Sequence, residues 1–198
     1  LEPGRGNEIR FEGDIADDSL STDNGFQNAA GDGADITIAG GDGPSGAGGI
    51  VVFNGENTYS GNTILEGASL LAELGVGIND DSLIRFNGYG RSSSDAATDT
   101  LSLGSVGTLL LVDDYVRRAG TDAAETAWTG SGGFANYTRR SEIVVNLGQL
   151  DAEAETGQRL VWGADGFFAG ASGVNSTLTF GSELATSAVR FTKNVDLN

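Results

Sequence analysis

The chain has 198 residues, of which 32 are glycine and only two are proline, and it contains no cysteine, histidine or methionine. Its 28 acidic and 11 basic side chains give a net charge of −17, which argues against nucleic acids and anionic membranes as partners. Without cysteine and histidine, the chain cannot form disulfides, thiolate or imidazole metal sites, a Ser-His-Asp triad or a Cys-His dyad.

A short alternation of apolar and polar residues, ending at or near a glycine, recurs along the chain. This period of two is typical of half-buried β-strands. It predicts strands at residues 9–13, 36–40, 51–55, 84–88, 101–104, 178–181 and 189–192. Their irregular spacing indicates loops of variable length. If the strands stack in parallel, we expect an internal ladder of phenylalanines: Phe11, Phe53, Phe86 and Phe180.

The stretch from Gly55 to Leu71 turns repeatedly within little more than strand. Three glycines, at positions 55, 61 and 67, separate strand-forming segments at 58–60, 63–65 and 69–71. Glycine at such corners adopts positive φ without the cost other residues meet, and the spacing leaves no room for a crossover helix. The pattern therefore predicts a solenoid whose successive coils pair in parallel.

The second half of the chain continues the pattern after one interruption. Asp113–Thr126 is the one segment where a short helix of one or two turns is predicted. Compact strands follow at 143–148 and 159–163, then an apolar turn at 166–170 and the start of another strand at Val195. Acidic, glycine-rich or serine-rich connections between strands are predicted to be loops.

Two blocks of sequence resemble known bacterial surface proteins. Gly55–Thr63, with Gly67 and Leu70–Leu71, closely resembles the autotransporter-associated β-strand repeat. A second block is similar to a region of the same proteins and comprises Trp128–Ala135, Val145–Gly148, Leu160–Gly163, Leu178–Ser182 and Val195–Leu197. The resemblance implies a right-handed parallel β-helix, exported and displayed at the outer membrane, with a structural or adhesive role.

Acidic clusters offer candidate ligands for Ca²⁺, which takes oxygen ligands in glycine-rich loops. Neither of the two clusters has the fixed alternate ligands and closing glutamate of an EF-hand. Their candidate ligands are Asp14, Asp17 and Asp18 in the first cluster, with Asp23 nearby, and Asp80 and Asp81 after Asn79 in the second. The simpler interpretation is that they are solvated turn residues, and no other cofactor is expected.

Adjacent carboxylates at Asp80–Asp81 and Asp113–Asp114 are the candidates for polysaccharide cleavage, which uses a pair of Asp or Glu residues. Neighbours on a strand point to opposite faces, so neither pair converges unless a turn bends it. We therefore expect no catalytic residues. Six aromatic residues form either a sugar-stacking platform or, as we expect for most, part of the core: Tyr59, Tyr89, Tyr115, Tyr137, Trp128 and Trp162.

Taken together, the sequence predicts a single all-β domain over residues 1–198, with a right-handed parallel β-helix as the first architecture and an antiparallel β-sandwich as the alternative. The absence of methionine predicts a segment cut from a longer exported protein, and no apolar run is long enough to insert into a membrane. Three functions stay open: an adhesive or structural segment that binds a cell-surface or matrix ligand, a self-associating filament subunit, and a polysaccharide-active enzyme.

Overall fold

The computed structural model describes residues 1, 7–17, 33–40, 49–88, 106–148, 159–164, 166–168 and 176–197. These residues form sixteen β-strands and no helix, so none of them belongs to a helix that could cross a membrane. In chain order the strands are β1 (Glu8–Phe11), β2 (Ile36–Ile38), β3 (Ile50–Phe53), β4 (Thr63–Leu65), β5 (Ser69–Ala72), β6 (Ile84–Phe86), β7 (Gly107–Leu111), β8 (Tyr115–Val116), β9 (Arg118–Ala119), β10 (Glu125–Trp128), β11 (Gly132–Asn136), β12 (Glu142–Asn146), β13 (Leu160–Val161), β14 (Leu178–Phe180), β15 (Ala188–Phe191) and β16 (Val195–Asp196).

The strands form four sheets, and each strand runs parallel to the strands it pairs with. The first sheet has the order β1-β3-β5-β7-β11-β14 and the second β2-β4-β6-β10-β9; the smaller sheets are β15-β12-β8 and β13-β16. From β1 to β6 the chain enters the first and second sheets alternately. The predicted all-β class is confirmed. The alternative antiparallel sandwich is wrong, because antiparallel contacts between described residues are isolated bridges.

Six of the seven predicted alternating segments are strands, namely β1, β2, β3, β6, β14 and β15, and the seventh, 101–104, lies outside the described residues. The helix predicted at Asp113–Thr126 is wrong, because this segment contains β8, β9 and the start of β10. Side chains alternate here between buried and exposed from Tyr115 to Ala119, which is the period of a strand. The buried arginine at position 117 hides that period in the sequence.

Register columns of apolar side chains build the core. One column crosses the whole first sheet, and its members are Ile9, Val51, Leu70, Leu109, Phe134 and Phe180. Another crosses the second sheet through Ile38, Leu65, Phe86 and Trp128, and a bridge extends it to Phe167. The inner members of both columns are buried and belong to one hydrophobic cluster. Packing between the sheets is therefore continuous along the stack.

The predicted single ladder of phenylalanines is divided between the sheets. Phe11 and Phe53 do pair in register, with ring centroids 5.7 Å apart. Phe86 lies in the second sheet, where it stacks on Trp128. Phe180 lies in the first sheet, but in the register column of Ile9. That column is two residues along the strand from the column of Phe11. Similar short motifs thus enter different sheets, because the chain alternates between them.

The three corner glycines are required for two different reasons. Gly67 has a φ of 150°, as predicted for a corner. Gly55 and Gly61 instead lie against the backbone of an earlier segment. A Cβ atom at Gly55 would lie 2.4 Å from the carbonyl oxygen of Gly13, and one at Gly61 would lie 2.3 Å from that of Ala34. Glycine here allows neighbouring turns to approach closely.

Candidate functional site

Asn57, in the turn between β3 and β4, connects three passes of the chain. Its Oδ1 accepts a hydrogen bond of 2.7 Å from the N–H of Ile15, and its Nδ2 donates one of 2.7 Å to the carbonyl of Gly77. Its own N–H donates to the carbonyl of Val76. Asn57 is only 5% exposed, so partners left unpaired here would be costly. This side chain is a structural tie between turns.

A buried hydroxyl network lies beside this tie. The strand predicted at 58–60 is wrong, since these residues pair in no sheet. The Tyr59 hydroxyl and Thr63 Oγ1 share a hydrogen bond of 2.6 Å, and Thr63 Oγ1 shares one of 2.9 Å with Ser82 Oγ. Burial raises the pKa of the Tyr59 phenol above its usual value. Each hydroxyl is satisfied by its neighbours, so the network holds the turns together without an open polar site.

Arg117 is a buried cation, 6% exposed, that sequence reasoning missed. Its Nη1 donates to the carbonyl of Ser82 at 2.5 Å, and its Nη2 donates to the carbonyls of Asp80 at 3.0 Å and Asn79 at 3.3 Å. Arg117 lies between β8 and β9, and its guanidinium thus clamps the turn that precedes β6. Its fork of donors suits several carbonyls at once, which a lysine ammonium matches poorly.

The first group of candidate Ca²⁺ ligands is used in hydrogen bonds to a neighbouring turn. Asp14 Oδ1 accepts the N–H of Glu56 at 2.9 Å. Asp17 Oδ2 accepts both the N–H and the hydroxyl of Ser60, at 2.8 and 2.6 Å. The hydroxyl bond is the main reason that the pKa of Asp17 is lowered from its ordinary value. Asp18 and Asp23 lie outside the described residues.

The second group of candidate ligands lies in the turn that Arg117 clamps. Asp80 contributes its backbone carbonyl to Arg117, and the N–H of Asp81 donates to Asn79 Oδ1 at 2.9 Å. Within the described part of the chain, no three acidic side chains come close enough together to hold a metal ion. The described members of the two groups, Asp14, Asp17, Asp80 and Asp81, each take part in a hydrogen bond that holds a turn.

Asp113 and Asp114 both bond to Arg140, at the edge of a cleft of about 230 Å³ that Glu73 also lines. The Nη1 of Arg140 donates to Asp113, and its Nη2 lies 3.3 Å from Asp114 Oδ2. Asp114 Oδ1 also accepts the N–H of Val144 at 2.9 Å. The N–H of Asp114 and the Arg140 guanidinium lower the pKa of Asp113. A general acid needs the opposite, a carboxyl whose pKa is raised.

The aromatic residues divide between core and surface. Three of the six are core residues, as expected: Tyr59, Tyr115 and Trp128. Burial raises the pKa of Tyr115 to about 12. Trp162 is partly exposed and stacks on Phe168, with centroids 3.8 Å apart. Tyr137 is 37% exposed, and Tyr89 lies outside the described residues. Among the described members of this set, Trp162 and Tyr137 are therefore the ones that reach the surface.

The two ends of the strand stack are the described surfaces where core columns reach solvent. We call residues 7–17 and 33–40 the N-terminal edge, and residues 176–197 the C-terminal edge. On the C-terminal edge, Phe180 continues a column whose previous member, Phe134, is fully buried, yet Phe180 is 44% exposed. Its ring contacts Phe191 of β15, with centroids 5.0 Å apart. The exposed Phe180 ring and the partly buried Phe191 mark the candidate functional surface.

No protein-family model, no curated protein and no solved structure matches the chain. The resemblance to autotransporter passengers therefore rests on the sequence residues that carry it.

Proposed function

We propose that the chain is a segment of a right-handed parallel β-helix from an autotransporter-like bacterial surface protein, with a structural or adhesive role and no catalytic activity. The observation that carries this proposal is the order of strands in the two larger sheets. β1, β3 and β5 follow one another in the first sheet, while β2, β4 and β6 follow one another in the second. One coil of such a helix would contain one strand from each sheet.

Contacts between successive turns support the same arrangement. Asn57 bonds to Ile15 in the preceding turn and to Gly77 in the following one. The close glycine contacts at the corners place one turn directly against the next. A crossover between parallel strands of one sheet is almost always right-handed, which favours the right-handed form.

A role at the cell surface is supported by the sequence resemblance, which implies export and display. The chain's net charge of −17 suits a solvated exterior and is compatible with ligands that carry positive charge. The adhesive part of the proposal names a cell-surface or matrix molecule as the ligand.

The enzymatic alternative is disfavoured by the hydrogen bonds of its candidate residues. Asp113 and Asp114 share Arg140, and the lowered pKa of Asp113 opposes a role as proton donor. Asp80 and Asp81 belong to the turn clamped by Arg117. A glycosidase instead requires two carboxyl groups that face a sugar from opposite sides of its scissile bond.

The test is a binding and turnover assay on the full chain. Binding of the chain to immobilised fibronectin, collagen, laminin and hyaluronan is measured first. The release of reducing ends from pectin, alginate and hyaluronan is measured beside it. Saturable binding to one of the surfaces without product release is the expected result. Product release that disappears in Asp113→Asn or Asp114→Asn would support the enzyme instead.

A further inference from the structure

We propose that the two edges of the strand stack bind each other in different copies of the chain, with β14 of one copy pairing in parallel with β1 of the next. This inference rests on the proposed β-helix and concerns the described coils of this chain, which are bounded by the two edges. It identifies the interacting surfaces and the partner, a second copy of this chain.

Apolar continuity is the first observation behind this interface. Ile9 and Phe180 are the two ends of one register column, whose inner members Val51, Leu70, Leu109 and Phe134 are all fully buried. Placing Ile9 of a second copy over Phe180 extends the column by one step and covers the exposed ring. Further partly buried apolar side chains lie on each edge: Phe11, Ile15 and Ile36 on one, and Leu178, Val189, Phe191 and Val195 on the other. Both ends thus offer apolar surface for burial.

Backbone pairing is the second observation. β1 pairs only with β3 and β14 only with β11 among the described strands, so within the described part of the chain one side of each backbone has no strand partner. The edge of β2 already shows how such a strand takes a partner. The amino group of Leu1 donates to the carbonyl of Thr37 at 2.9 Å, and the carbonyl of Leu1 accepts the N–H of Ala39 at 2.9 Å. These two bonds are the pattern of a parallel ladder. With β2 paired to Leu1, β1 is the strand at this end that has one side without a partner among the described residues.

Charge disfavours contact between two N-terminal edges. The N-terminal edge carries five carboxylates and one arginine, and the residues are Glu8, Glu12, Asp14, Asp17, Asp35 and Arg10. The C-terminal edge carries two charges of each sign, from Glu183, Asp196, Arg190 and Lys193. Two N-terminal edges therefore repel each other, while an N-terminal edge meets no net charge on a C-terminal one. The register column whose two ends are Ile9 and Phe180 then favours a head-to-tail interface.

A head-to-tail contact between translated copies does not close, so it produces filaments. The first sheet contributes six strands per copy. With about 4.8 Å between neighbouring strands, each copy adds about 29 Å to the filament. This axial repeat is a quantitative consequence of the proposed register.

The test uses the full chain with one blocked end at a time. Ile9→Lys places a charge on the N-terminal edge, and Phe180→Lys places one on the C-terminal edge. We expect the wild type to associate as its concentration rises, in sedimentation velocity, and to form filaments with a repeat of about 29 Å in electron micrographs. Each variant alone is expected to stay monomeric. An equimolar mixture is expected to form one-to-one dimers, because one unblocked edge of each kind is left.

Val116→Lys is the matched control, because Val116 is similarly exposed, at 39%, but lies in β8 rather than on the described edges. It should assemble like the wild type. Ile9→Ala and Phe180→Ala are measured beside the lysine variants, with circular dichroism to confirm folding, and should weaken association at least about tenfold. A folded wild type that stays monomeric overturns the interface but leaves the proposed surface role intact. Dimers of Ile9→Lys alone overturn it too, since they require contact between two C-terminal edges.

Discussion

Replacing Asn57 with alanine tests whether the turns are tied together as the structure shows. The change removes the acceptor for Ile15 N–H and the donor to the Gly77 carbonyl, both bonds being 2.7 Å long. A typical hydrogen bond stabilises by about 1 kcal/mol, and a buried partner left unpaired costs about 1–3 kcal/mol. With Asn57 only 5% exposed, we expect a loss of about 3 kcal/mol in the free energy of unfolding.

Urea unfolding followed by circular dichroism measures this loss. At about 2–4 °C per kcal/mol for a chain of this size, the melting temperature should fall by about 6–12 °C. Asn54→Ala is the matched control, because Asn54 is exposed and, among the described residues, its Nδ2 bonds only to the exposed carboxylate of Glu12. Its effect should stay within about 0.5 kcal/mol. If the two variants were equally stable, Asn57 would not be a tie between turns.

Three further changes test other contacts. Gly55→Ala should destabilise the protein by about 2 kcal/mol or more, because its Cβ would lie 2.4 Å from the carbonyl oxygen of Gly13. The control is Gly13→Ala, whose Cβ would have free space around it, and urea unfolding compares the two variants. Arg117→Met should cost about 3 kcal/mol by the same assay, since the carbonyls of Ser82 and Asp80 lose this donor, while that of Asn79 keeps the N–H of Ser82. Arg118→Met, at an exposed side chain, should cost far less. Asp17→Asn tests pH dependence. The pKa of folded Asp17 lies below 3.8, so its stabilisation is present above that value and is lost as the pH falls through the folded pKa. The difference in melting temperature between wild type and Asp17→Asn should therefore be constant above about pH 5 and shrink below about pH 4.

Each of these expectations has a clear contrary result. Equal stability of the Gly55 and Gly13 variants would mean that the two turns are not in backbone contact. Equal effects at Arg117 and Arg118 would remove the clamp on the turn before β6. A melting-temperature difference for Asp17→Asn that grows toward low pH would reverse the sign of the linkage and contradict a stabilising role of the ionised carboxylate.

Strand positions could be predicted from the sequence because alternation over four or five residues reports directly on which face is buried. Ile9–Phe11 and Ile84–Phe86 show this clearly, and both are strands. Their placement in different sheets could not be predicted, because the two segments have almost the same local pattern. Only the alternation of the chain between sheets separates them.

The wrong helix prediction has a specific cause. Between Tyr115 and Ala119 the inward position is held by Arg117, whose charge masks the period of two. Three backbone carbonyls from a distant turn satisfy this charge, and no local signal reveals such partners. The bonds between Arg140 and the two aspartates could not be predicted for the same reason, because more than twenty residues separate the arginine from each aspartate.

The glycine pattern predicted where the corners of the chain lie, but not why each corner needs a glycine. Gly67 has the positive φ that its corner predicted. At Gly55, the requirement comes from the backbone of Gly13, which lies far away in sequence. A corner glycine can therefore indicate either a backbone angle or a close neighbour, and the sequence alone does not distinguish the two.

Stacking of successive coils in chain order is tested most directly by one distance in solution. The chain has no cysteine, so the double variant Glu8→Cys with Thr179→Cys can be spin-labelled at those two positions alone. The two residues share a register column and lie five strand steps apart, which corresponds to about 24 Å. Pulsed electron paramagnetic resonance should give a single maximum near that value. A maximum beyond about 35 Å, or a distribution without one, would contradict the stacked arrangement.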